Sequence, residues 1–204
     1  MIKKKNMLYI SISIIITILI LGGLKYYYTS EAYNLKCIIS SVDGNRYCVR
    51  RQNKMQQSAD LLATVTQECI KLVDYMKKTH PNDKRTKQLV KNFNSTKIQE
   101  TLPTSVLTAY SENKGEKIAF CLNKTKNNKK EELIDIDTLT FVAFHELTHV
   151  MTESNGHKLD YWKNFKYLLE NAKNANLYVP VDYKKTPANF CGMKINNNPY
   201  FDLI

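Results

Sequence analysis

The sequence predicts an α+β protein, in which an N-terminal apolar helix precedes a mainly helical domain that carries a small β-hairpin. Three observations predict this architecture. An uncharged apolar run occupies residues 7–24, several later segments repeat apolar residues at helical spacing, and two apolar segments flank a turn-like Asn113-Lys114-Gly115. The segment beyond the apolar run is long enough for one domain with its own hydrophobic core.

The N-terminal apolar run predicts a membrane anchor over residues 1–25. Met7 to Leu24 contains no charged residue and is long enough to cross a bilayer. A cleavable signal peptide would have a shorter apolar region, closely followed by a small-x-small cleavage site. Lys3, Lys4 and Lys5 precede the run, so we expect a single-pass type II topology with a cytosolic N-terminus, in a host or virion membrane.

Residues 26–54 are predicted to form a juxtamembrane segment with a short hairpin about Gly44, and residues 55–204 to form the main domain. Apolar residues recur at threes and fours from Gln56 to Thr79, which predicts an amphipathic helix. A shorter helix is expected from Asp83 to Phe93, and another from Leu159 to Ala175. These helices are interpreted as scaffold.

Leu107–Tyr110 and Lys117–Leu122 are predicted to pair as a β-hairpin around Gly115. We expect Lys117–Leu122 to offer an exposed edge to an extended substrate, which would pair with it as an added strand. A purely structural hairpin is the alternative.

The pentapeptide HELTH, residues 145–149, carries the chemistry of this chain. Asp137 to Glu153 is predicted to be a helix with Asp137 as its N-cap, so His145 and His149 lie on one face and Glu146 lies beside them. Two histidines at this spacing, with a glutamate between them, are typical of a catalytic zinc site, in which three protein ligands leave one position open for water.

The third ligand is predicted to be His157, because the turn Ser154-Asn155-Gly156 can end the helix and return the chain toward the metal. Glu170 on the following helix is the main alternative, and Asp160 is a further one. Glu153 is a poor candidate, since it lies about 12 Å along the helix axis from His145.

HELTH, followed after six residues by Gly156-His157 and then by Tyr161-Trp162, resembles the pattern of SprT-like and WLM-type zinc metallopeptidases, including predicted metallopeptidases of large DNA viruses. The resemblance covers about residues 107–170. It implies a zincin-like fold, Zn²⁺ bound by His145, His149 and His157, and Glu146 as the general base that activates a zinc-bound water to hydrolyse a peptide or protein substrate. The DNA-repair role of SprT-like proteins is not implied, because no DNA-binding motif accompanies the pattern.

A catalytically inactive zinc-binding structural or interaction module, such as a viral membrane or virion component, is the alternative function. Glu146 argues against it, because a structural zinc site usually has its fourth position filled by Cys or His. The net charge of +11 could attract nucleic acid, but the lysines are dispersed, so nucleic acid is not an expected partner. Tyr178 and Tyr183 are candidate hydrogen-bond donors to a developing oxyanion.

Five cysteines are present, and none forms a C-x-x-C pair, so a second zinc site of the usual spacing is not predicted. Cys37 and Cys48 flank the turn at Gly44 and could form a disulfide in an oxidising compartment. Reduced, buried thiols are the alternative.

Overall fold

The computed structural model describes residues 2–126 and 132–202 and has an α+β architecture, as the sequence predicts. The helices are α1 (Ile2–Thr29), α2 (Glu31–Asn34), α3 (Met55–Thr79), α4 (Lys84–Asn92), α5 (Ile136–Met151) and α6 (Leu159–Asn174). The strands are β1 (Leu35–Ile39), β2 (Arg46–Arg50), β3 (Ile98–Glu100), β4 (Ala109–Glu112), β5 (Lys117–Phe120), β6 (Ala188–Phe190) and β7 (Met193–Ile195). Single 3₁₀ turns occur at Ser95–Lys97 and Pro199–Phe201.

Helix α1 contains the predicted anchor. Within Asn6–Thr29 an 18-residue stretch has a mean hydropathy of 2.5, and none of this apolar stretch is buried against the rest of the described chain. By length and composition α1 is therefore apolar enough to cross a membrane. Tyr27 and Tyr28 lie at its C-terminal end. Their rings contact each other and the ring of Tyr33 in α2 in edge-to-face geometry.

Five of the described strands form one mixed sheet in the order β1-β2-β3-β5-β4. The two hairpins, β1–β2 and β4–β5, are antiparallel, and β3 joins them through parallel pairing with β2 and β5. The sequence did not predict β3, because Glu100 is a charged residue in a three-residue strand. Its carboxylate is buried, where it accepts a hydrogen bond from the Arg50 backbone N–H at 2.7 Å.

The position of β3 overturns the prediction about the free edge of the sheet. Lys117–Leu122 contains β5, which is paired on both sides, by β3 and by β4. The prediction that this segment offers an edge to a substrate is therefore wrong. Strand β4 is the edge strand on this side of the sheet.

The hairpin predicted about Gly44 is confirmed as β1–β2, and it belongs to the main sheet. Tyr47 and Val49 are buried in the hydrophobic core, so the core extends well into the segment before α3. Cys37 and Cys48 face each other across this hairpin and form a disulfide. The structure thus selects the bridged form from the two alternatives that the sequence left open.

Helix α5 lies in the centre of the domain, packed against α3, α4 and α6. Its N-cap is Asp135, whose carboxylate accepts hydrogen bonds from the backbone N–H of Thr138 at 2.8 Å and from the Thr138 hydroxyl at 2.9 Å. The prediction of Asp137 as N-cap is wrong by two residues. Asp137 instead lies in the first turn, where a carboxylate also interacts favourably with the helix dipole.

The C-terminal segment contains a second hairpin, β6–β7, which the sequence did not predict. A disulfide joins Cys191, at its turn, to Cys121, just after β5. The backbone N–H groups of Cys191 and Gly192 also donate hydrogen bonds to the carbonyls of Asn123 and Lys124, at 3.0 and 2.8 Å. These contacts hold the C-terminal hairpin next to α5, which β6 contacts directly.

Candidate metal centre

The three histidines predicted as ligands meet at one point. His157 Nε2 lies 3.0 Å from His145 Nε2 and 3.1 Å from His149 Nε2. His145 and His149 are one turn apart on α5, as the spacing predicts. The ring of Tyr161, on α6, packs against all three imidazoles, and its hydroxyl donates a hydrogen bond to the His145 carbonyl at 3.2 Å.

This arrangement fits a divalent cation. A ring nitrogen carries either one hydrogen or one lone pair, so His157 Nε2 cannot form a good hydrogen bond to both neighbours at once. One cation would satisfy all three lone pairs, and tetrahedral zinc with Zn–N bonds near 2.0–2.1 Å separates its nitrogen ligands by roughly 3.3 Å. Among the described residues, His145, His149 and His157 form the cluster that could hold a metal ion.

The protonation of the three imidazoles also suits metal binding, because a histidine ligand must be neutral. Burial, together with the neighbouring histidines, lowers the pKa of His145 to about 3. Burial, His157 and the ammonium of Lys114 lower the pKa of His149 to about 4. Burial lowers the pKa of His157 as well. The imidazoles are therefore predominantly neutral at pH 7.

A turn after α5 delivers His157, and two side chains fix that turn. Helix α5 ends at Met151 with Thr152 as its C-cap, and Gly156 takes a positive φ of 76° that lets the chain reverse. Lys114, in the β4–β5 turn, donates hydrogen bonds to the carbonyls of Thr152 and Ser154, at 2.9 and 2.7 Å. Asn164 on α6 donates to the Thr152 hydroxyl at 2.9 Å.

Lys114 was missed by the sequence reasoning, because a lysine in a polar turn is usually solvated. The adjacent Gly115 is a residue type that could have indicated a close backbone approach at this turn. A Cβ at Gly115 would lie 2.7 Å from the Asn92 carbonyl oxygen and 2.8 Å from a methyl group of Val150 on α5. The glycine thus marks the place where the β4–β5 turn approaches α5 closely.

The alternative third ligands lie elsewhere. Glu170 is exposed on α6 and is not part of the metal-ligating cluster in the described chain. Glu153 forms an ion pair with Lys84 at 2.8 Å. The nearby Ser154 side chain lowers the pKa of the Asp160 carboxyl group, and Asp160 is not part of the histidine cluster in the described chain. The geometry therefore favours His157 over each of them.

Glu146 is a buried carboxyl group beside the histidines. Its residue is only 4% exposed, and burial raises the pKa of the carboxyl group to about 8. It nevertheless lines two cavities, together with His145 and His157. Such a group can accept and release a proton near neutral pH, and a cation beside it would lower its pKa again.

The two cavities form an open cleft over the histidines and differ in character. One has a volume of about 360 Å³ and is mainly apolar, with a wall from the C-terminal hairpin. The other has a volume of about 580 Å³ and is more polar, with Asn113, Lys114 and Asn155 in its lining. Ala109 of β4 borders both.

The edge strand β4 faces this cleft with part of its backbone. The N–H of Cys121 donates to the Thr108 carbonyl, and Tyr110 pairs with Ala119, so residues 108 and 110 direct their backbone groups toward β5. By the alternation of an antiparallel pair, Ala109 and Ser111 direct their N–H and C=O groups to the other side. The cleft therefore offers backbone hydrogen-bonding groups beside the histidines.

Tyr178 and Tyr183, the predicted oxyanion donors, are not in the cleft. The Tyr178 hydroxyl accepts a hydrogen bond from the Asn198 amide at 2.8 Å, and the Tyr183 ring packs against Phe141 at 4.9 Å between centroids. Both side chains are buried, and neither lines the two cavities of the described chain. That prediction is wrong, because both tyrosines pack into the core below α5.

Comparison with known proteins finds relatives in two viruses. The chain is 25% identical to the uncharacterized protein R325 of Acanthamoeba polyphaga mimivirus over 194 residues, which cover 93% of this chain and 97% of that protein. It is 32% identical to the uncharacterized protein 136R of Invertebrate iridescent virus 6 over 76 residues, 37% of this chain and 41% of that protein. No family model and no solved structure matches the chain.

Proposed function

We propose that this protein is a membrane-anchored, zinc-dependent metallopeptidase that hydrolyses peptide bonds, with a zincin-like fold of the SprT-like or WLM type. One observation carries the proposal. The Nε2 atoms of His145 and His149 each lie about 3 Å from Nε2 of His157, beside the buried carboxyl group of Glu146 and beneath an open cleft. A structural zinc site would leave no such opening.

His145, His149 and His157 would hold the metal. Zinc, when bound, supplies a Lewis acid that lowers the pKa of water and polarises the scissile carbonyl. Glu146 accepts the proton of the attacking water and transfers it to the leaving amine, because its carboxyl group borders the cleft. Tyr161 holds the imidazoles in place by packing against them.

The substrate is an extended segment of peptide or protein. It binds along β4 as an added strand, because Ala109 and Ser111 direct backbone groups toward the cleft. This assignment replaces the earlier one to Lys117–Leu122. Backbone pairing supplies affinity that does not depend on sequence, whereas the walls of the cleft would supply specificity.

The domain is held at a membrane by α1 in a type II topology. The two disulfides, Cys37–Cys48 and Cys121–Cys191, support an oxidising compartment for the domain, since such bonds are rare in reducing ones. Lys3, Lys4 and Lys5 before the apolar run support a cytosolic N-terminus. Nucleic acid is not part of this proposal.

The test compares the wild-type chain with Glu146→Gln on a peptide library, with metal content measured on the same samples. We expect Glu146→Gln to keep the metal and to lose hydrolysis. Glu153→Gln is the matched control, because Glu153 is a highly exposed glutamate just beyond the same helix and should retain full activity. Undiminished cleavage by Glu146→Gln would refute the assigned base.

A zinc-binding structural module without turnover is the second candidate. The observation in its favour is that His157 lies on the turn after α5 whereas His145 and His149 lie on α5, so one metal ion would join the turn to the helix. Chelation distinguishes the two functions. A structural metal predicts that the domain unfolds when zinc is removed, whereas a catalytic metal predicts lost hydrolysis with the fold retained, because Lys114 and Asn164 already fix the turn.

A further inference from the structure

We propose that the apolar cavity beside His145 and Glu146 is a side-chain subsite, which selects substrates with a large apolar residue next to the scissile bond. This inference rests on the proposed function and names its substrate class. The cavity has a volume of about 360 Å³, at the lower end of the range for small-ligand pockets, so it suits one side chain rather than a folded segment.

Helices and the C-terminal hairpin build the apolar wall of this subsite together. Helix α5 contributes Phe141 and Val142, and α6 contributes Trp162 and Phe165. The opposite wall consists of the hairpin residues Phe190, Met193 and Ile195. Glu146 is the one charged side chain in this lining within the described residues, and Thr108, Asn196 and Asn197 add only neutral polar groups. An anionic substrate side chain would therefore lose its hydration without gaining a cationic partner.

The position of the cavity links it to the reacting centre. His145, Glu146 and His157 line it, and Thr108 and Ala109 at the start of β4 form its border. Successive side chains of an extended peptide point to opposite faces, so a peptide lying along β4 can direct one side chain into the cavity. The neighbouring polar cavity, on the Lys114 side, accommodates a different class of side chain.

The hairpin wall is fixed before a substrate arrives. The Cys121–Cys191 disulfide and the backbone hydrogen bonds of Cys191 and Gly192 attach it to the segment after β5. Met193 contacts the Thr108 hydroxyl through its sulfur at 3.8 Å, across the mouth of the cavity. Because this wall is already ordered, substrate binding does not cost the conformational entropy of ordering the hairpin.

The first test needs neither metal nor turnover. Ligand-observed NMR would measure binding of N-acetyl-phenylalaninamide, N-acetyl-alaninamide and the anionic α-amide of N-acetyl-aspartic acid to the full-length, zinc-free chain in lipid nanodiscs. We expect the phenylalanine amide to bind about tenfold to hundredfold more tightly than the alanine amide, from burial of its ring. Ile195→Trp fills the cavity and should abolish this preference, whereas Val179→Trp, at an 82% exposed position, should retain it.

Val142→Phe narrows the same cavity from the α5 side and replaces Ile195→Trp if that variant does not fold. Equal binding of the three amides, or a preference that the cavity-filling variants leave intact, would overturn the proposal. The second test sequences the peptide products of the zinc-loaded chain and should find a large apolar residue on one side of each cleaved bond. If the amide preference is present but no peptide is cleaved, the proposed function fails and the subsite stands.

Discussion

Replacing Glu146 by Gln should stabilise the metal-free protein, although it removes a catalytic group. Burial raises the pKa of Glu146 from 4.5 to about 8, so the folded state keeps a proton that the unfolded state has already released at pH 7. The difference corresponds to a penalty of about 3 kcal/mol at pH 7, from 1.36 kcal/mol per pKa unit. A glutamine carries no such penalty.

The direction of the pH dependence follows from the same shift. Since the folded-state pKa of Glu146 is raised, the unfolded state binds fewer protons above pH 4.5, and the stability of the wild-type protein falls until the pH passes about 8. His145 and His149 have lowered pKa values, so their contribution is fully present above pH 6.5 and is lost as the pH falls. A comparison of the wild type with Glu146→Gln from pH 6.5 to 8 therefore isolates Glu146, because the remaining titration of the histidines is common to both proteins.

The assay is thermal unfolding of the chelator-treated, full-length wild type and Glu146→Gln across that window. A gain of about 3 kcal/mol corresponds to an increase of roughly 6–12 °C in Tm for a domain of this size. We expect the wild type to lose about 1–2 kcal/mol between pH 6.5 and 8 and the variant to lose none of this component. With zinc bound, the gain should shrink, because a cation stabilises the carboxylate. A Glu146→Gln protein that is less stable than wild type, with an unchanged pH profile, would refute the reasoning.

Three further predictions concern the ligands and the scaffold. His157→Ala should weaken zinc binding strongly while Glu170→Ala leaves it unchanged, as measured by competition with a chromophoric chelator; the reverse result would make Glu170 the ligand. Gly115→Ala should destabilise the fold by about 2 kcal/mol or more, since a side chain there is strained at φ 113° and meets α5, and unchanged urea unfolding would contradict this close approach. Serine at both Cys121 and Cys191 should cost about 4 kcal/mol of stability, because this disulfide closes a loop of 70 residues, and an unaltered Tm in oxidising buffer would exclude the bridge.

The sequence predicted the features that are local in the chain. The HELTH helix, the return of His157 at Gly156 and the hairpin around Gly115 depend on spacing and turn residues, and all three are present. The sequence did not predict the features that depend on contacts between segments far apart in the chain. Strand β3 is three residues long and contains a buried charge whose partner, Arg50, is fifty residues away, so no local pattern could reveal it.

In the cleft, too, the sequence predicted the local features but not those that depend on distant segments. Two of its three histidines, His145 and His149, follow from a helical repeat of four residues, whereas its walls come from β4, from Lys114 and from the C-terminal hairpin. The segment after residue 177 contains prolines and polar residues, so no local pattern in it predicts a strand. Its position over α5 depends on the pairing of Cys121 with Cys191, which a count of five cysteines cannot specify.

X-ray absorption spectroscopy at the zinc edge of the purified full-length protein tests the central claim most directly. We predict one zinc per chain with three imidazole nitrogens and one light atom from solvent, all at about 2.0–2.1 Å. His157→Ala should remove one imidazole from that shell. A protein that retains no zinc after purification in its presence, or that shows sulfur ligands, would contradict the proposed metal centre.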